Sequence, residues 1–445
     1  MMEEKKWAEL TPEEKREVRM KKWIEAEDVE FASTESKKAY QERATRLMKA
    51  LMLQEPDRVP VQLPAGNYPA YYAGGSIHKV MYDYDELRRA WLKFLYDFDM
   101  DTYRGPNLVH SGKVLEIIDY KLYKWPGHGL AENVAGYQFI EGEYMMADEY
   151  DALIKDPSDF ALRVLIPRHI GAFKPFKKLV RPASVMGLPI GFVAQATNPD
   201  VRAALQAMID AGVEMEKWQE AVNACNKEAQ AAGFPSMRGG MGVAPFDTLG
   251  DALRGTQGII LDMYRQPDKL HEAMDKVADI TIDNALAMTD DATGIMVSFP
   301  LHKGDDTFMS DEQFETFYWP SLKKVILALI EEGLMVMCFA EGRYERRLEA
   351  LSELPKGWTM WQFDQTDMAN VKRVIGDVCC ISGNVPSSLI SKGTPQAVKE
   401  RCRQLIETCG KGGGYILTGG AAVAETNPEN LRAFMEAAKE YGTYK

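Results

Sequence analysis

The sequence predicts an α/β protein built as a (β/α)8, or TIM, barrel, carrying an N-terminal helical extension and a small β insertion. Three observations lead there. Five short apolar runs, Ile295 to Pro300, Leu334 to Phe339, Trp358 to Phe363, Val378 to Ser382 and Gly414 to Leu417, each end in a glycine or polar cluster, and most are followed by an amphipathic helical pattern. Strands alternating with helices build parallel sheets, and 445 residues suffice for eight such units. Finally, no G-x-G-x-x-G follows an early strand. The glycines of Arg238-Gly239-Gly240-Met241-Gly242 lack both the dinucleotide fingerprint and the Lys-Ser/Thr of a phosphate loop, which counts against an open nucleotide-binding sheet.

The elements follow in order. Thr11-Pro12-Glu13-Glu14 fits a capping box with proline at the first helical position, and the charged segment behind it reads as an exposed helix. Tyr40, Ala44, Leu47, Met48 and Leu51 recur at helical spacing, and Pro56 precedes a strand-like run from Arg58 to Leu63. Residues 1–53 therefore read as the extension and 54–445 as the main domain. Between Leu115 and Tyr144, the pieces EIIDYKLYKW and YQFIEGEYMM flank a glycine-rich stretch, as in a hairpin or small meander. The text is then mainly helical to Gly233, except for a strand expected at Ala183 to Ile190. Near the end, Thr394 and Pro395 start a helix whose apolar face is Val398, Cys402, Leu405, Ile406 and Cys409, and Asn427-Pro428-Glu429 starts the last one.

Composition bounds the function. With 46% hydrophobic and 10% aromatic residues the chain buries a full core, and a net charge of −13 opposes phosphate backbones and anionic membrane surfaces. Nucleic acid and membrane are not expected partners; a homo-oligomer is compatible with the sequence. Six cysteines do not form a disulfide framework in a chain this long, and MMEEKKWAELTPEEKREVRMKK has no apolar run that could serve as a signal peptide. The expected home is the cytoplasm. Cys338, Cys402 and Cys409 sit on apolar faces and read as core residues.

Groups at the C-terminal ends of barrel strands meet at one mouth. The candidates there are His302 with Asp305 and Asp306, Glu341, Asp364 and Asp367, Asn384, and Gly419-Gly420. An imidazole and two carboxylates, His302, Glu341 and Asp364, could bind a divalent metal such as zinc, or His302 and Glu341 could move protons; spacing alone does not separate the two. The bland account has His302 and Asp305 merely shape a glycine-containing turn and pairs Glu341 with an arginine such as Arg343 or Arg346. Tyr68, Tyr71 and Tyr72 follow the first strand and Phe308 follows the His302 loop, so these are pocket candidates, with Phe317 to Trp319 assigned to packing. His110 and His128 would border the mouth if the insertion folds over it.

The stretches EPDRVPVQLPAGNYPAYY, APFDTLGDALRGTQGIILDMYRQPDKL and ISGNVPSSLISKGTPQAVKERCRQLIETCGKGGGYILTGG resemble the uroporphyrinogen decarboxylase superfamily from about Gln54 to Gly442. The resemblance implies a (β/α)8 barrel and either a decarboxylase or a methyltransferase working with a corrinoid protein. The decarboxylase branch carries two arginines in a motif similar to M-R-Q-A-G-R-Y; Leu63 and Asn67 stand there here, leaving Asn67 as a substrate-binding candidate beside Asn384. The methyltransferase branch carries a zinc motif similar to H-x-C-G, which aligns with Phe339-Ala340-Glu341-Gly342. The resemblance thus implies a rebuilt site and an O-demethylase-like transfer of methyl from a small, plausibly methoxylated aromatic compound. No D-x-H-x-x-G is present, so the corrinoid would come from a partner protein. The alternatives are a decarboxylase for a smaller substrate and a non-catalytic tetrapyrrole or corrinoid carrier.

Overall fold

The computed structural model describes residues 6–289 and 294–444. The insertion forms a small sheet of β1 (Tyr123–Pro126), β2 (Gly129–Leu130) and β3 (Gln138–Phe139) in the order β2-β1-β3, with β1 and β3 antiparallel. It starts later than the sequence pattern suggests, because Glu116 and Ile117 close the helix Gly112–Ile117, which Ser111 caps.

The centre is a six-stranded parallel sheet in sequence order: β4 (Arg238–Met241), β5 (Met296–Leu301), β6 (Met335–Ala340), β7 (Thr359–Phe363), β8 (Cys380–Ser382) and β9 (Tyr415–Ile416). Strands β5 and β6 are predicted runs shifted by one residue, and β7 to β9 are predicted runs trimmed at their ends. Hydrogen bonding continues past both edges. Gln62 N donates to Leu417 O (3.0 Å) and Leu417 N to Pro60 O (2.9 Å), while Asp101 N donates to Val61 O (3.0 Å) and Tyr103 N to Pro235 O (3.0 Å), just before β4. The buried Asp101 carboxylate pins this junction, accepting Val61 N at 2.8 Å and pairing with Arg58 (2.7 Å) and Arg46 (2.6 Å). The expected strand from Arg58 to Leu63 is an extended run held by isolated bridges.

Two-residue periodicity divides the sheet between two cores. One face sends Val297, Phe299, Val336, Cys338, Trp361 and Ile381 into the main cluster, where the helices pack. The other sends Met296, Met335, Met337, Met360, Cys380 and Ile416 into a second cluster completed by Met20, Trp23, Tyr40, Ala44 and Leu47. The N-terminal helices Pro12–Glu25 and Thr34–Leu51 therefore cover this apolar face at the N-terminal ends of the strands.

That corrects the reading of an exposed first helix. The capping box at Thr11 is present, but Lys15, Arg19, Met20 and Trp23 are buried. Their polar heads are satisfied by carbonyls at the strand and helix ends: Trp23 Nε1 donates to Ser236 O (2.8 Å), Arg19 to Glu332 O (3.1 Å) and Thr289 O (3.2 Å), and Lys15 Nζ to Glu331 O (2.9 Å). Long cationic stems can bury while their heads stay bonded, which the charge pattern hides. A second correction concerns Ala183 to Ile190. Instead of a strand, the chain forms a 3-10 turn, Pro182–Val185, and a short helix, Ile190–Ala194, before the 33-residue helix Pro199–Ala231. Proline at 182 and 189 and glycine at 187 break any strand there.

The C-terminal helices form as read. Thr394 caps Pro395–Cys409, and Asn427 caps Pro428–Tyr441, each with its predicted apolar face buried. All six cysteines are free and buried.

Candidate functional site

The polar groups gather where β5, β6 and β7 end. His302 follows β5, and its Nδ1 lies 2.6 Å from Asp251 Oδ2. Its Nε2 lies 3.9 Å from Glu341 Oε2, just after β6. The structure therefore brings the side chains of His302 and Glu341 next to each other. Asp251 arrives from a π-helical turn, Thr248–Leu253, that continues the helical turn Pro245–Asp247. Such π turns are frequent at functional sites, and this one presents both Asp247 and Asp251 to the His302 loop.

Asp247 is the buried anchor. Its Oδ2 accepts His302 N (3.0 Å) and the Tyr318 hydroxyl (2.7 Å), and its Oδ1 accepts Lys303 N (3.0 Å). Complete burial pushes its pKa up to about 6, against the hydrogen bonds from His302 and Tyr318. Asp251 is opposite in behaviour. Burial would raise its pKa, but the His302 hydrogen bond and Lys303, with Nζ at 3.0 Å, outweigh it and hold the carboxyl below its usual range.

The Asp251 hydrogen bond in turn raises the His302 pKa, against a smaller opposing effect of burial. Burial also raises Glu341, partly offset by His302 and reinforced by Asp364. With Nδ1 committed to Asp251, His302 presents Nε2 to the open side, where its side chain is 40% and that of Glu341 54% exposed. Such an imidazole, oriented by one carboxylate and facing another, can hold and deliver a proton.

Asp364 does not join them directly: its Oδ2 accepts Gly342 N (3.4 Å) and Gln365 Nε2 (3.2 Å). Gly342 has φ +84°, and a Cβ there would meet Asp305 Oδ2 at 2.5 Å, so the turn that presents Glu341 requires glycine. Asp305 is that turn former, accepting Phe308 N at 2.7 Å. Asp306 accepts Arg346 N (3.2 Å), and Arg346 pairs with Asp311 (2.5 Å) rather than with Glu341. As a metal site the pair is half a ligand set. The 3.9 Å between His302 Nε2 and Glu341 Oε2 is wider than the roughly 3.4 Å that separates two ligand atoms on a tetrahedral zinc. Among the described residues, no group of three or more His, Cys, Asp or Glu stands ready to hold an ion.

An ≈ 120 Å³ cavity, which shares no lining residue with this cluster, is lined by Leu63, Asn67, Trp91, Phe94, Arg104 and Gln362 among others. Arg104 Nη2 donates to Gln62 Oε1 and Gln362 Oε1 (3.3 Å each), tying the 100–103 run to β7.

Of the expected pocket residues, Asn67 lines the cavity. Tyr68 is buried against Phe94 and Tyr72, and Tyr72 donates to Asp97 (2.8 Å). Tyr71 keeps a buried hydroxyl beside the Ile77 backbone. Phe308 packs on Phe246 with Lys303 Nζ 5.3 Å from its ring centre. Asn384 is spent on structure, donating to Thr366 O (2.6 Å) and accepting from Arg401 (3.2 Å). Tyr318 belongs to the site through Asp247, whereas Phe317 and Trp319 pack in the core.

The insertion leans on the segment that carries Asp251. Tyr144 N and Met145 N both donate to Leu253 O (2.7 Å), and Thr256 N donates to Glu141. His128 stacks on Trp125 at 4.1 Å and His110 packs beside Tyr123 and Tyr137, so both serve the insertion. Sequence reasoning missed Asp247, Asp251, Lys303 and Arg104. The four-residue spacing of Asp247 and Asp251 within the phrase APFDTLGDALRG was the available signal, since it puts two carboxylates on one helical face.

Comparison with known proteins agrees with this architecture. The chain is 24% identical over 187 residues to uroporphyrinogen decarboxylase of Pseudoalteromonas translucida, covering 40% of this chain and 50% of the relative. It is 26% identical over 186 residues to that of Klebsiella pneumoniae, covering 39% and 49%. The chain thus spans about half the length of the curated relatives it matches. A methyltransferase from Methanosarcina mazei shares the fold with a TM-score of 0.57 at 17% identity, over 89% of this chain and 98% of that one. The uroporphyrinogen decarboxylase (URO-D) family model matches residues 168–441, which include every strand of the central sheet and the His302–Glu341 pair, and the chain belongs to that family.

Proposed function

We propose that the protein is a methyltransferase that moves a methyl group from a small methylated compound, a methoxylated aromatic, to the cobalt of a separate corrinoid protein. The observation that carries the reading is the Asp251–His302–Glu341 array at the ends of β5 and β6. The fold shared with a methyltransferase supports it. So does the cavity wall, where Leu63 and Asn67 replace the arginine pair that a polycarboxylate substrate needs. In this reading the sheet closes as a (β/α)8 barrel with 58–63 and 100–103 as its first two strands, and the bonds Asp101 N to Val61 O and Tyr103 N to Pro235 O support that closure.

The chemical task is to make an aryl or alkyl oxygen leave. As the O–CH3 bond breaks and the methyl passes to cobalt(I), the oxygen gains negative charge. His302, kept in its charged form by the Asp251 carboxylate that accepts Nδ1–H, then delivers its Nε2 proton to that oxygen and is left neutral with its remaining proton on Nδ1, and Glu341 faces the same space. Lys303 and Asp247 fix the loop. The apolar cavity walls orient the ring and exclude water.

The test combines the chain with reduced corrinoid protein and a panel of phenyl methyl ethers, methylamines and methyl thioethers. The expected result is a cobalt spectral change with one donor class, lost in His302→Ala. No change with any donor, or turnover of uroporphyrinogen instead, would overturn the reading. A decarboxylase for a smaller substrate is the second reading, favoured by Arg104 in the cavity wall, which could bind one carboxylate. Release of carbon dioxide without cobalt would identify it.

A further inference from the structure

Among the described residues, half of the twenty exposed large hydrophobic side chains fall between Val180 and Val213. At about 170–200 Å² of full surface each, their exposed parts sum to on the order of 1,000 Å². A specific stable interface needs about 800 Å² per partner, and the largest apolar patch of an ordinary monomer is only a few hundred.

The order within that surface is more telling than its size. The helix Pro199–Ala231 buries Val201, Ala204, Ala211 and Val222 against the molecule. Its outer face carries Leu205, Ile209 and Val213, exposed at 39%, 58% and 53% and spaced by one turn. Gly212 lies on the same outer face, and a Cβ there would touch nothing within 4 Å among the described residues. Arg202 stands seven residues before Ile209 and Glu216 seven after, both exposed. Arg202 is steadied by donating to Ala196 O (2.9 Å) and Thr197 O (3.0 Å).

We infer that this face joins two copies of the chain as an antiparallel helix pair whose twofold axis passes at Ile209. In that arrangement Ile209 meets Ile209, Leu205 meets Val213, and Arg202 meets Glu216, each pair made twice. A twofold contact must be self-complementary, and a stripe palindromic in both apolarity and charge satisfies that condition. An anionic lipid surface fits less well, because Asp200, Asp210 and Glu216 lie on the same helix. The surface is built from a different segment than the His302 cluster, and the inference does not depend on the catalytic reading.

Light scattering after size exclusion, with the whole chain at about 10 µM and thus above a micromolar Kd, should give twice the 50.1 kDa chain mass. Ile209→Glu, which sets two carboxylates on the axis, should give the monomer with unchanged circular dichroism. Arg202→Glu and Glu216→Arg should each weaken dimerisation about tenfold, as expected for one reversed charge pair made twice, and the double variant should restore it. A monomeric wild-type chain, a dimer indifferent to Ile209→Glu, or a double variant that fails to recover overturns the inference. A monomer that sediments with phosphatidylglycerol vesicles would overturn it too and assign the face to lipid.

Discussion

The two ends of the central sheet are made of the same strands and behave in opposite ways. At the N-terminal end, Met296, Met335, Met360, Cys380 and Ile416 pack against Trp23, Tyr40 and Leu47, and nearly all are buried. At the C-terminal end the same strands lead into His302, Glu341 and Asp364, with a carboxylate network behind them and half-exposed side chains in front. One end is closed by apolar contact and the other is kept polar, open and electrostatically tense. The comparison teaches that stability and chemistry are separated along the strand axis, so substitutions at one end should leave the other's property intact.

The sharpest way to break that separation is at the open end. His302→Ala should lower methyl transfer by about 10²–10⁴-fold, the usual worth of a positioned proton donor, while the urea midpoint stays near wild type. Trp23→Ala should do the reverse. Removing a buried indole and its bond to Ser236 O should cost about 3–5 kcal/mol in denaturant unfolding, with kcat unchanged below the transition.

Asp247 tests whether the open end stores tension. Its folded pKa of about 6 stands above the ordinary 3.8, so the folded state binds the proton more tightly. Its contribution is complete below pH 3.8 and is lost as pH rises to 6. Wild type should therefore lose up to about 3 kcal/mol over that window relative to Asp247→Asn, read from unfolding at several pH values.

Asp251 raises the His302 pKa, so Asp251→Asn should move the alkaline limb of the activity profile to lower pH, measured as kcat/KM against pH. A profile that stays put would remove His302 as the donor. The smallest effect belongs to the first helix: Thr11→Ala removes the bond to Glu14 N and should cost about 1 kcal/mol of stability, with activity untouched.

Much of this was legible before any coordinates. Strands β5 to β9 were readable because buried parallel strands are short, apolar and bounded by turn residues, and the helices at Thr394 and Asn427 because caps and apolar faces are local. His302 and Glu341 were readable because each immediately follows such a strand. The run at Arg58 to Leu63 was found but not its pairing, since single bridges to Thr443 and Leu417 depend on residues more than 350 positions away. The strand expected at Ala183 to Ile190 failed because an exposed apolar segment carries no period that separates strand from helix.

What the sequence by itself determined is therefore the local inventory: which segments are strands, where helices start, and which polar residues follow them. Such features depend on neighbours within a few positions, where propensity, capping and periodicity act. The tertiary structure alone decided that Asp247 and Asp251 grip the His302 loop from some fifty residues upstream, and that a charged first helix buries Trp23 beneath the sheet. Those outcomes rest on desolvation and hydrogen bonds between distant segments, and a side chain's burial and partners exist only once the chain has closed around it.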